Sequence, residues 1–175
     1  DFREDNADRS AGSAFGGVAP LSRLRVVNTE SSAGNLFAAG ARSFSIWTDT
    51  GAQVYDSGNT LDVEAHARGI YDDGRSRDKG VEPEGVAVHR IGARRYAFIG
   101  LERTLDSAVA IFDITNPYDV SFVDMIVTPG DRSPEGLAVF SHRGSHYLAI
   151  ANETVGTGAT GTHTRPSVGR SISRP

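Results

Sequence analysis

The sequence predicts an all-β chain that forms part of a β-propeller, and three observations carry that expectation. The stretch Pro83-Glu84-Gly85-Val86-Ala87-Val88 returns as Pro134-Glu135-Gly136-Leu137-Ala138-Val139, an offset of 51 residues. At the same offset Tyr96 answers to Tyr147, Ile99 to Ile150 and Glu102 to Glu153, so the repeat spans two successive strand-like segments. Short apolar runs repeating with a period of about 50 are characteristic of propeller blades or a related β array. The runs are short because twenty glycines and seven prolines, spread along 175 residues, divide them with turns. Long helices are not expected.

In chain order, residues 1–19 are small and polar with no period of 2 or 3.6, and read as an irregular arm. Residues 21–27 read as a strand. Residues 36–39, 43–47 and 53–56 read as three more, separated by Gly40 and the Thr48-Asp49-Thr50-Gly51 turn. Residues 61–82 hold little apolar content besides Leu61, Val63, Ile70 and Val81, and read as a long loop, a feature more often functional or disordered than incidental. Then comes the most complete blade, with strands over 85–91, 96–101, 108–114 and 120–127 and a turn at Asn116-Pro117. The copy beginning at Pro134 supplies two strands, up to Ala151. Residues 154–175 are rich in Gly, Thr, Ser and Arg and read as an irregular tail.

The propeller segment therefore spans residues 20–153 and amounts to about two and a half four-stranded antiparallel blades. Propellers close with roughly four to eight. The chain is expected to be part of a larger ring, or to assemble with other chains that cover its end faces.

A net charge of -4, from 18 basic and 22 acidic residues, gives no electrostatic case for nucleic acid. The absence of cysteine excludes disulfides, thiolate metal sites and thiol nucleophiles. No apolar run approaches the roughly 18 residues of a membrane span, and the first residues lack the plan of a signal peptide, so a secreted protein would already be processed here. Serine-hydrolase elbows, phosphate loops and dinucleotide fingerprints are likewise missing.

The chemistry-bearing residues are acids. Asp72, Asp73, Asp78, Glu82 and Glu84 lie close together on the approach to the repeated motif, and Glu135 is the counterpart of Glu84 in the second copy. Calcium takes about six to eight oxygen ligands, which a carboxylate-rich loop at the mouth of a β array can offer. The plain alternative is a solvated loop whose Arg75, Arg77 and Lys79 pair with the acids. For Glu84 and Glu135, with Glu102 and Glu153 recurring beside them, the alternatives are a staple between neighbouring blades and a ring of carboxylates around a metal. His142 and His146, beside the Arg143-Gly144 turn, read as surface groups, and His66 is the one histidine that lies near the acids as a lesser ligand candidate.

Four ordered stretches, 36–47, 54–58, 76–86 and 96–103, resemble the bacterial choice-of-anchor I family over about residues 21–153. The resemblance implies a large secreted, periplasmic or cell-surface protein with a β-propeller, of a kind often labelled alkaline phosphatase or phytase-like. The chain departs from the family pattern at Arg77, where an acid is usual, at Val81, where proline is usual, and after Glu153. The resulting expectation is a secreted or cell-envelope β-propeller module for binding and assembly, with calcium as the first candidate cofactor. Its partners would be other protein chains or the rest of a larger propeller. The competing reading is a metal-dependent phosphoesterase.

Overall fold

Alternation along the strands dictates how the sheets stack. The structure is a computed structural model that describes residues 23–38, 40, 42–155 and 165–171. These residues form three antiparallel sheets, none of them closed. The first pairs β1 (Ser45–Trp47) with β2 (Gln53–Asp56). The second has the order β3 (Pro83–Ile91), β4 (Arg94–Leu101), β5 (Ser107–Asp113), β6 (Ser121–Thr128). The third has the order β7 (Asp131–His142), β8 (Ser145–Val155), β9 (Arg165–Ser171). The all-β expectation holds, and the four runs read as one sheet do form one sheet.

The two central strands of that sheet, β4 and β5, are buried on both faces. On one, Ala97, Ile99 and Leu101 of β4 join Ala108, Ala110 and Phe112 of β5 in a core with Leu61, Ala65, Ile70, Val81 and Met125. On the other, Phe98, Val109 and Ile111 pack with Leu148 and Ile150 of β8, flanked by Leu137 and Val139 of β7. Period-2 alternation sends neighbouring residues of β4 and β5 into different cores, so both strands are apolar almost throughout. Phe98, Phe112 and Val109 are all at most 1 % exposed. Each such side chain contributes roughly 1.5–3 kcal/mol by burial.

The third sheet comes close because two glycines give it room. A Cβ on Gly100 would stand 3.2 Å from the Pro134 carbonyl oxygen, and one on Gly85 would stand 3.5 Å from Leu137. The start of β7 therefore lies against the end of β4, and this contact positions the site described below.

Three local expectations are corrected. Residues 61–82 are not a structureless loop: they carry a helix, α1 (Thr60–Ala67), and a single 3-10 turn, Asp73–Arg75. The helix needs only one apolar stripe, and Leu61 and Ala65, four residues apart, supply it by burying themselves in the first core. The tail is not wholly irregular, since β9 pairs with β8 from Asn152↔Arg165 to Tyr147↔Ser171. An edge strand needs a backbone ladder rather than an apolar face, which is why composition did not reveal it. Finally, 23–27 and 36–38 form no strand. They are held by single backbone bonds, Val27 N–H to the Phe37 carbonyl at 2.8 Å and Arg25 N–H to that of Arg77 at 2.9 Å. Leu21, Ser22 and Ala39 of those two expected strands lie outside the described residues.

Candidate functional site

Both copies of the repeated motif open in the same unusual way. Glu82 and Ser133, which are equivalent, adopt left-handed backbone with φ of 49° and 56°, and each precedes a proline. A non-glycine residue there costs on the order of 1–3 kcal/mol, and a following proline further restricts it. A β-bulge follows in each copy, between Pro83 and Val86 and between Pro134 and Gly136. A bulge breaks the strand's alternation and re-aims a side chain. Here it turns Glu84 and Glu135 towards the far ends of β4 and β8, where Pro83 faces Leu101 and Pro134 faces Asn152. Glu102 and Glu153 come one residue later.

The result is two carboxylate triplets that share a member. Oxygen atoms of Glu82, Glu84 and Glu102 all lie within 4.8 Å of one another, and so do those of Glu102, Glu135 and Glu153. Such groups could hold a metal ion. Glu82 and Glu102 are buried, whereas Glu84, Glu135 and Glu153 are exposed. Glu102 belongs to both triplets because β7 lies against β4.

The electrostatics of the two differ. Glu82 is bound by Arg75 through one oxygen and by Lys79 at 3.1 Å through the other, with Arg103 Nε at 3.8 Å. Burial works to raise its pKa, but the hydrogen bonds and charges of Arg75 and Lys79 outweigh it and hold the carboxyl below the usual glutamate range. Lys79 also lies 3.9 Å from Glu84. Glu102 forms an ion pair with Arg103 Nη2 at 2.6 Å. Its pKa nevertheless rises to about 7, first through burial, then through a hydrogen bond with Glu84 and the charges of Glu84 and Glu82, with Arg103 opposing. Near neutrality Glu102 is thus poised to keep or release a proton. Among the described residues, Glu135 and Glu153 have no ion-pair partner.

Of the acids singled out in the sequence, the structure places Glu82 and Glu84 in the first triplet and Glu135 in the second. Asp72, Asp73 and Asp78 join neither triplet. Asp72 accepts from the Gly74 N–H at 2.8 Å and caps the 3-10 turn, and Asp73 begins that turn. Asp78 pairs with Arg25 at 3.0 Å and with Arg75 at 3.7 Å. The 51-residue offset that pairs Glu102 with Glu153 marks both beside Glu84 and Glu135, but not that Glu102 stands in both triplets. Sequence reasoning overlooked Arg103, for which the repeat carries no signal because Thr154 stands at the equivalent position.

The family model of the choice-of-anchor I domain matches residues 4–117, well over half of the chain. No curated protein and no solved structure matches it.

Proposed function

The chain belongs to the choice-of-anchor I family, and from that premise we propose that it is a β-propeller segment serving as a binding and assembly module at the cell surface. We further propose that a divalent cation, calcium first, secures the junction between its two repeats. The family name associates the domain with the cell surface. No helix among the described residues is long and apolar enough to cross a membrane. The propeller reading is supported by the four-stranded sheet whose central strands are enclosed on both faces and by the 51-residue repeat. Assembly is supported by Phe140 and Tyr147, stacked at 5.5 Å on the side of β7 and β8 away from the core, with Phe140 44 % exposed.

The observation that carries the cation is the triplet of Glu102, Glu135 and Glu153. Calcium binds oxygen at about 2.3–2.6 Å, so two oxygens on opposite sides of one ion lie about 4.6–5.2 Å apart, and an ion fits between carboxylates spaced as these are. Glu102 would release its proton to solvent as the cation enters. The first triplet already has Arg75, Lys79 and Arg103 as its cations and acts as a staple.

Calcium titration of the wild-type chain, followed by calorimetry and by thermal unfolding, tests this. The expected result is a calcium-dependent rise in Tm that Glu135→Gln removes and Glu84→Gln largely keeps. Absence of calcium binding in the wild type, or binding unchanged in Glu135→Gln, would sink the cation site. Phosphate-ester hydrolysis abolished by chelation would replace the module with the phosphoesterase reading.

A further inference from the structure

At the other end of β3, about 16 Å from Glu84 by strand rise, three lone-pair-bearing groups from three strands meet. His89 of β3 places Nε2 3.3 Å from Nδ1 of His146 on β8 and 3.2 Å from Oγ of Ser141 on β7. Ser141 Oγ and His146 Nδ1 close the triangle at 2.9 Å. Both histidines are half-buried, and Ser141 and His146 are register partners on neighbouring strands.

We propose that His89, His146 and Ser141 form a second metal site, for a divalent transition ion of the zinc class, that ties the second sheet to the third. The dimensions are those of one face of a tetrahedron. With Zn–N bonds of about 2.0–2.1 Å and a tetrahedral angle, two imidazole nitrogens on one ion lie about 3.3–3.4 Å apart and their ring centres about 5.2 Å apart. The nitrogens here are 3.3 Å apart and the ring centroids 5.4 Å, with the rings inclined at 66°. Hydrogen bonding can satisfy two edges of the triangle at once, through one imidazole N–H and the serine hydroxyl, and leaves the third edge without a hydrogen of its own. An ion seated on the triangle takes a lone pair from each atom instead, and its remaining position opens to water. Neutral nitrogen donors select zinc, nickel or copper over calcium. This separates the site chemically, as well as spatially, from the carboxylates.

The test is titration of the full chain with Zn²⁺ alone by calorimetry, beside His89→Gln, His146→Gln and Glu135→Gln, with circular dichroism to confirm folding. One zinc per chain is expected, weakened at least tenfold in each histidine variant and unchanged in Glu135→Gln. Wild type that binds no zinc, histidine variants that bind it as tightly as wild type, or a signal lost only with Glu135→Gln would each overturn the site. If a histidine variant fails to fold, Co²⁺ bound to the wild-type chain decides. Intense visible bands of a tetrahedral ion support the site, and the pale spectrum of an octahedral one overturns it.

Discussion

The two copies of the repeated motif share a left-handed residue, a proline and a bulge, and differ in the charges placed around them. In the first copy Lys79, Glu82 and Arg103 surround the bulge; at the equivalent positions of the second stand Gly130, Ser133 and Thr154. The glutamates are kept in both, as Glu84 and Glu135 and as Glu102 and Glu153. One backbone design thus carries carboxylates neutralised by the protein's own cations, and the other carries carboxylates left without them among the described residues. Backbone geometry therefore does not by itself decide whether such a site is a staple or a cation site. Under the proposed reading, the neighbouring charges decide it.

The largest expected effect breaks the first copy alone. Glu82→Ala leaves Arg75 and Lys79 without their shared partner and should cost about 2–3 kcal/mol, less than the roughly 3–5 of a fully buried pair because both cations remain about a third exposed. Ser133→Ala, the matching change in the second copy, should cost less than about 1 kcal/mol. Urea unfolding of the two variants compares them directly, and equal losses would show that the copies are held in the same way.

A smaller effect tests the carboxyl they share. Because its folded pKa is raised from 4.5 to about 7, Glu102 contributes stability that is fully present below its unfolded value and lost as pH climbs towards and through 7. Glu102→Gln should therefore match the wild type near pH 4.5 and exceed it by about 1–2 kcal/mol at pH 8 without added cation. Unfolding curves at the two pH values check this, and a variant less stable than the wild type at pH 8 would contradict the assignment. Glu82 acts in the opposite sense: its lowered pKa gives stability present above the ordinary glutamate value and lost as pH falls through the folded one.

The smallest effect isolates the strain common to both copies. Ser133→Gly relieves the left-handed backbone without touching an ion pair. The gain is offset in part by the entropy of glycine in the unfolded chain, leaving about 0.5 kcal/mol of added stability. Thermal unfolding of that variant reads it, and a lower Tm would show that the serine side chain matters more than the strain.

Much of this was legible in the residues, for reasons particular to each region. The second sheet could be read strand by strand because β4 and β5 are apolar on both faces and Asn116-Pro117 marks a turn. Residues 61–82 and 165–171 were misread because α1 buries only a narrow stripe and β9 is held by its backbone ladder. Neither needs the apolar content on which the reading relied. In the candidate site, Glu84 and Glu135 could be picked out from the repeat, whereas Asp72, Asp73 and Asp78, grouped with them by proximity in the chain, join neither triplet. Those aspartates are engaged locally, by a turn N–H and by arginines.

By itself the sequence determined the all-β class, the 51-residue repeat and the equivalence of its glutamates, because these rest on local period and composition. Only the tertiary structure decided that Glu102 stands in both triplets and that His89 meets His146. Both facts depend on how closely the third sheet lies against the second. That distance is set where Gly85 and Gly100 let Pro134 and Leu137 approach, in a contact between residues far apart in the chain that no local pattern announces.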